Sequence, residues 1–276
     1  FNNAYKTYAL SYDQFFPRRQ FGMGAWLLSD DAGDGILRTI KAAGIFSYRL
    51  RLNDNFYAKM GAEVGIVQST LHWDQLLFGD QIDDYLGTVS PGGIPFPTEE
   101  TAPAKNSTVY PDLGIGGVLY GGTFYGGLSI RHLNTPSPDF LGENSGLTPG
   151  IPMRWTIHAG AAWPILKKMF SKYYNLQLAP SFIVVTQGPF NQFNGGFTLD
   201  GGLFSFGLLY RVSSGQSEAI IGSIGLRTNN LRLGYSYDAT ISGFEGGGGT
   251  HEIGLVFILD DGDKESRYND CLQIFR

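Results

Sequence analysis

The residues of this 276-residue chain that could do chemistry are four histidines, one cysteine, a glycine run and a loop of carboxylates. His72, His132, His158 and His251 stand far apart, and none shares the His-x-x-x-His spacing that sets two imidazoles around a metal. Cys271 is the single cysteine, so it can neither close an internal disulfide nor form a metal site alone. Gly246 to Gly249 form a four-glycine run, but the Lys-Ser/Thr of a phosphate loop does not follow, and the run reads as a flexible outer loop. Asp80, Asp83 and Asp84 lie in one segment without the Asp-x-Asp-x-Asp-Gly order of a calcium loop. They read as solvated loop carboxylates, with a loop cation site as the alternative. His158 alternates with Thr156 and Gly160, which admits a Ser-His hydrolase inside a barrel; a hydrogen-bonded wall histidine is the plainer reading. No catalytic residue, metal ligand or cofactor is assigned.

The composition says what scaffold must hold these residues. Charged residues make up 16%, against about 25% in ordinary soluble domains. The 39 glycines are roughly twice the usual share. Glycine at that density opposes helices, since each interior glycine costs about 1 kcal/mol relative to alanine. With 42% hydrophobic residues, disorder is excluded. A net charge of −5 and the lack of a basic stripe argue against nucleic acid as a partner. No stretch reaches the 18 or so apolar residues of a membrane helix, but a membrane strand needs only about 9–11 residues.

Period-two alternation is the decisive signal. Leu231, Leu233, Tyr235, Tyr237, Ala239 and Ile241 alternate with Arg232, Gly234, Ser236, Asp238 and Thr240. Phe56 to Val67, Phe46 to Leu52 and Leu203 to Arg211 behave alike, with one apolar face and one face of Gly, Ser and charge. Further strands are expected near 4–15, 20–28, 36–44 running into 45–52, 111–121, 123–133, 154–165, 173–187, 192–200, 217–228 and 249–259. The total is about thirteen, many of them longer than the 5–6 residues common in soluble sheets.

Connections alternate between short, such as Asn53-Asp54, Gly121-Gly122, Lys167 to Lys172, Gly201-Gly202 and Asn229-Asn230, and long, such as Ser29 to Gly35, Asp74 to Thr108, Asn134 to Pro152 and Ser242 to Thr250. Short periplasmic turns and long extracellular loops are the rhythm of an outer-membrane barrel. The fold expected is therefore all-β, an antiparallel transmembrane β-barrel of about 14 strands over residues 1–259, with a periplasmic tail over 260–276. Closed single-chain bacterial barrels have even strand numbers, so one strand is expected to be missing before Phe1.

Aromatic residues near strand ends (Phe15, Phe16, Trp26, Tyr57, Trp73, Tyr110, Trp155, Trp163, Tyr173, Tyr174 and Phe244) suit interfacial girdles. The inner face is expected to carry Arg49, Arg51, Lys59, Arg131, Arg211, Arg227 and Arg232, neutralised by Glu63, Asp13 and Asp238, with glycines making room for them.

The last strand pair carries the most specific signal. Leu233-Gly234-Tyr235-Ser236-Tyr237-Asp238, a Gly-rich loop, then Thr250-His251-Glu252-Ile253-Gly254-Leu255 resembles the PorP/SprF family. So do Phe21-Gly22-Met23-Gly24-Ala25 with Asp30-Asp31-Ala32-Gly33, and Gly61-Ala62-Glu63-Val64-Gly65 ahead of the Asp74 to Asp84 loop. The resemblance implies an outer-membrane protein of the Bacteroidota, tied to type IX secretion and gliding motility and not enzymatic. It implies as partner a large secreted surface protein, adhesin-like and carrying a C-terminal sorting domain, besides secretion components or lipoproteins and outer-membrane lipid. Tyr235, Tyr237, Asp238, His251 and Glu252 are expected to hold the last hairpin. Trp73, Phe78, Ile94, Phe96, Pro97, Phe140 and Leu141, on the long loops, are the candidates for partner docking. The alternative is a porin or transporter for small solutes.

Overall fold

The computed structural model describes residues 5–138, 140, 150–166, 176–214, 217–242 and 249–259. They form one antiparallel sheet of fourteen strands. In chain order these are β1 (Tyr5–Phe16), β2 (Phe21–Ala32), β3 (Leu37–Arg51), β4 (Phe56–Leu71), β5 (Ser107–Gly121), β6 (Phe124–Arg131), β7 (Arg154–Ala161), β8 (Trp163–Leu166), β9 (Leu176–Gln187), β10 (Phe190–Asp200), β11 (Phe204–Ser213), β12 (Ser217–Arg227), β13 (Leu231–Thr240) and β14 (Thr250–Phe257). Each pairs with its sequence neighbour, except that β7 and β8 lie end to end along β9: Gly160 faces Ser181 and Trp163 faces Leu178. The sheet thus has thirteen strand positions, one for each segment read from alternation. The tail at 260–276 and the turn at 167–172 lie outside the described residues.

Two boundaries differ from expectation for physical reasons. β2 runs on through Ser29, Asp30 and Asp31 to Ala32, because those polar residues still ladder with β1 and β3. The expected long loop after it shrinks to a turn, with Gly33 at φ 64° and Gly35 at φ 93° supplying the left-handed backbone. β5 starts at Ser107, ahead of Pro111. A proline in a strand removes one donor. Here that donor side faces Asn134, past the end of β6: the Asn134 side chain donates to the Pro111 carbonyl at 2.8 Å and accepts from the Leu113 N–H at 3.1 Å.

Residues directly opposite in an antiparallel pair share a face. From Glu63 the register runs through Gly114, Arg131, Arg154 and Gln187, which defines the inner face. Met60, Val64, Ile66, Leu119, Leu128, Phe206 and Ile224 point the other way and are exposed. Val67 is the one large side chain fully buried among the described residues, so the apolar face covers no conventional core. An exposed apolar band on this scale is what a transmembrane sheet presents to hydrocarbon. Among the described residues no helix is long and apolar enough to cross a membrane.

The register also corrects the expected girdle. Phe16, Phe21 and Phe46 stack outward at the short-turn end, with centroids 4.7 and 5.8 Å apart, and Phe124 meets Trp163 edge-on at 6.2 Å. Phe15, Trp26, Tyr57 and Tyr110 share the parity of Asp13, Gly24, Lys59 and Asp112 and face inward. Proximity to a strand end sets height, whereas only parity sets the face. Tyr173, Tyr174 and Phe244 lie outside the described residues.

Among the described residues β1 and β14 are each paired on one side only. Across thirteen alternating positions these two edges run in the same direction, so no antiparallel ladder joins them directly. The sheet is a barrel wall with an open seam.

Candidate functional site

The inner wall carries the charges. Arg131 Nη2 lies 2.9 Å from Glu63 Oε2, and the Trp26 indole N–H donates to the same oxygen at 3.0 Å. Arg211 pairs with Asp238, and Arg227 with Asp200 at 2.9 Å. Arg49 donates from Nε to Gln20 Oε1 at 2.7 Å and lies 4.5 Å over the Phe15 ring. The Lys59 ammonium lies 5.2 Å over the same ring. Arg51 bonds Asp54 at 2.6 Å, in the exposed turn at the rim. Arg232 faces Arg227 and Val256 on the inner side. Asp13 is exposed on the edge strand β1 and has no ion pair among the described residues. Sequence reasoning missed Asp200, and also Asp112, which sits 2.9 Å from buried His132 Nδ1. Both lie on charge-bearing faces of alternating strands, but their partners are 27 and 20 residues away, so nothing local flags them.

Glycine makes the room for large inner side chains. Tyr125 faces Gly160, and His158 faces Gly127, across the β6–β7 pair. A methyl at Gly160 would sit 2.6 Å from Tyr125 Cε1, and one at Gly127 would collide with the His158 imidazole. The two rings lie 5.8 Å apart and half-buried, each over the other strand's glycine.

The family-like residues of the last hairpin separate onto two faces. Tyr235, Tyr237 and His251 point outward: Tyr235 Oη is 2.8 Å from His251 Nδ1, and the Tyr237 and His251 rings are 4.8 Å apart. Ser236, Asp238 and Glu252 point inward, where the Ser236 hydroxyl donates to Glu252 Oε2 at 3.2 Å.

Above the wall, residues 72–106 join β4 and β5, two of the longest strands. At about 3.3 Å per residue, the 16 residues of β4 run roughly 50 Å, which a barrel tilt of about 35–45° turns into roughly 35–40 Å of height, more than the roughly 25 Å of a barrel's apolar band. The loop therefore stands clear of the hydrocarbon. It is anchored by the His72 N–H to the Ile36 carbonyl and the Leu71 N–H to the Asn106 carbonyl, both at 2.8 Å. Asp80 accepts from the Glu99 N–H at 2.7 Å and from the Thr98 hydroxyl at 3.0 Å. Asp83 accepts from the Tyr85 and Leu86 N–H groups at 2.8 and 2.9 Å. The Glu99 amide beside Asp80, and the Tyr85 amide beside Asp83, hold these carboxyls below the ordinary range. Among the described residues no three His, Cys, Asp or Glu side chains converge as a metal site would require.

Of the residues expected for docking, Ile94 and Pro97 are exposed, while Trp73, Phe78, Phe96 and Phe140 are half-buried. Trp73 and Phe78 pack at 4.8 Å, and the Lys105 N–H donates to the Phe140 carbonyl at 3.3 Å, joining the two long loops. Leu141 lies outside the described residues. The loop instead exposes Leu77, Ile82, Tyr85 and Leu86, with Tyr85 97% exposed. A sequence search weighted toward aromatics beside Pro and Gly passes over these, because their exposure follows from the Asp83-centred turn. Residues 72–106 also hold six acids against Lys105 alone, leaving 19 acids and 19 bases elsewhere. The chain's whole net charge of −5 thus sits on this loop.

No curated protein matches the chain. Residues 1–257 match the family model described as "Type IX secretion system membrane protein PorP/SprF". With a long-stranded sheet, an apolar outer face and a charged inner one over the same span, the chain belongs to the PorP/SprF family of type IX secretion membrane proteins.

Proposed function

We propose that this protein is a non-enzymatic outer-membrane barrel that supports type IX secretion by holding a large exported surface protein, adhesin-like and carrying a C-terminal sorting domain, at its extracellular rim. A further strand antiparallel to both β1 and β14 would close the wall, since these two edges run the same way. The observation that carries the docking reading is the loop 72–106, which combines the net charge of the chain with exposed Leu77, Ile82, Tyr85, Leu86 and Ile94. An acidic surface studded with apolar side chains fits a partner patch that is basic at its rim and apolar at its centre. Secretion components or lipoproteins on the periplasmic side, and outer-membrane lipid around the wall, complete the partners of this reading.

The test is co-purification from detergent-solubilised native membranes, with mass spectrometry of what is retained. A Tyr85→Ser/Leu86→Ser/Ile94→Ser variant, and separately Asp84→Lys/Glu99→Lys/Glu100→Lys, should each lose a large surface protein while the barrel remains in the outer membrane. Retention of that protein by both variants would dispose of the loop as its dock. The porin alternative is separated by planar-bilayer recording: steady single-channel current from the pure protein favours it, and a silent barrel favours the anchor.

A further inference from the structure

The inner wall has a cation that no acid among the described residues neutralises. Arg154 stands directly opposite Arg131 across the β6–β7 pair, on the same face. Like charges directly opposite destabilise a sheet pair. Glu63 relieves Arg131, at 2.9 Å. The side chain of Arg154, at the start of β7, has no hydrogen bond or ion pair among the described residues. Both arginines line a cavity of about 440 Å3, together with Lys59 and the hydroxyl-bearing Ser47, Ser129 and Thr156. Ser129 and Thr156 face each other one inward position below the arginine pair. The cavity's formal charge, from Lys59, Arg131, Arg154 and Glu63, is +2. Farther along the inner wall Arg211 is matched by Asp238 and Arg227 by Asp200. The cavity thus carries a positive charge in a chain whose overall charge is negative.

We propose that this cavity binds a phosphate-class oxyanion. Planar guanidinium forks and hydroxyl donors lining one open space are the chemistry that recognises tetrahedral oxyanions. A dianion cancels the surplus and bridges Arg154 to Arg131, turning the like-charge pair into a three-centre ion pair. Lys59 adds a point charge to the same cavity from β4, two strands away from β6. The site lies in the barrel interior and involves none of the loop residues proposed for docking, so either can fail without the other.

The experiment uses the full chain in detergent, with inorganic phosphate as the probe and chloride balancing ionic strength. Phosphorus-31 line broadening and titration calorimetry report binding directly. Wild type should bind in the millimolar range or tighter, Arg154→Gln about tenfold or more weakly, and Arg227→Gln, remote from the cavity, like wild type. Heat-modifiable gel mobility checks that each barrel is folded. If Arg154→Gln does not fold, Lys59→Gln decides, with an expected weakening of at least several-fold. No binding by wild type, or equal binding by wild type and the folded cavity variant, overturns the proposal. A phosphorylated glycolipid headgroup is tested in parallel: competition with inorganic phosphate at the same site supports a lipid source, and its failure beside positive phosphate binding supports the free ion.

Discussion

Asp238 and His251 belong to one strand pair and to one family-like segment, yet they lie on opposite faces of the sheet: Asp238 pairs inward with Arg211, while His251 meets Tyr235 outward at 2.8 Å. The two polar contacts share no partner, and their contributions should add.

That separation gives unequal costs. Asp238 is 7% exposed, and Asp238→Asn strands the Arg211 guanidinium, for an expected loss of roughly 3 kcal/mol. His251→Ala removes one exposed hydrogen bond and should cost about 1 kcal/mol. Urea unfolding in detergent micelles, with the double variant included, measures both values. A coupling of more than about 0.5 kcal/mol between them would contradict the two-face arrangement.

Glu63 serves two donors from two strands. Glu63→Gln should destabilise the wall by about 1–2 kcal/mol, a value kept low because Arg131 is nearly half exposed. The Trp26 environment should change with it, since its indole donates to the same oxygen. Tryptophan fluorescence together with denaturant midpoints checks this; an unshifted midpoint would remove Glu63 from the wall's energetics.

Gly160 holds the space that the Tyr125 ring fills. Gly160→Ala should cost at least about 1 kcal/mol, and Gly160→Ala combined with Tyr125→Ala should recover part of that loss. Destabilisation by the double variant equal to the sum of the two single ones would show that no steric relation exists.

The loop 72–106 should loosen in acid. Asp80 and Asp83 have folded-state values depressed by backbone amides, so their contribution is fully present above the unfolded carboxylate value of about 3.9. It falls away as pH drops through the lower folded values. Hydrogen exchange of the Tyr85, Leu86 and Glu99 amides, corrected for intrinsic rates, should stay constant from pH 7 to about 5 and accelerate below about 4. Asp80→Asn should speed Glu99 exchange already at pH 7. Equal protection across the range would show that these carboxylates do not pin the loop.

Strand positions were legible because a strand's side-chain period is two, a local property of the backbone. Leu231 to Ile241 and Phe56 to Val67 declared their faces in one reading, and even the proline-bearing start of β5 departed by only a few residues. The family-like segment at 233–255 was legible for the same reason, being contiguous along one hairpin. The exposed rim at Tyr85 and Leu86 was not, since a turn built on the Asp83 side chain decides which neighbours point outward.

By itself the sequence determined that the chain is a sheet of long strands with one apolar and one charged, glycine-rich face, because alternation needs no partner to be read. Only the tertiary structure decided which charges meet. Parity assigns a residue to a face, but register assigns its height, and register belongs to pairs of strands. Glu63 and Arg131 lie 68 residues apart in sequence and are brought to one level by the successive β4–β5 and β5–β6 ladders. The β6–β7 ladder sets Arg154 beside Arg131 with no acid paired to it among the described residues, and the alternation of strands leaves β1 and β14 running in the same direction.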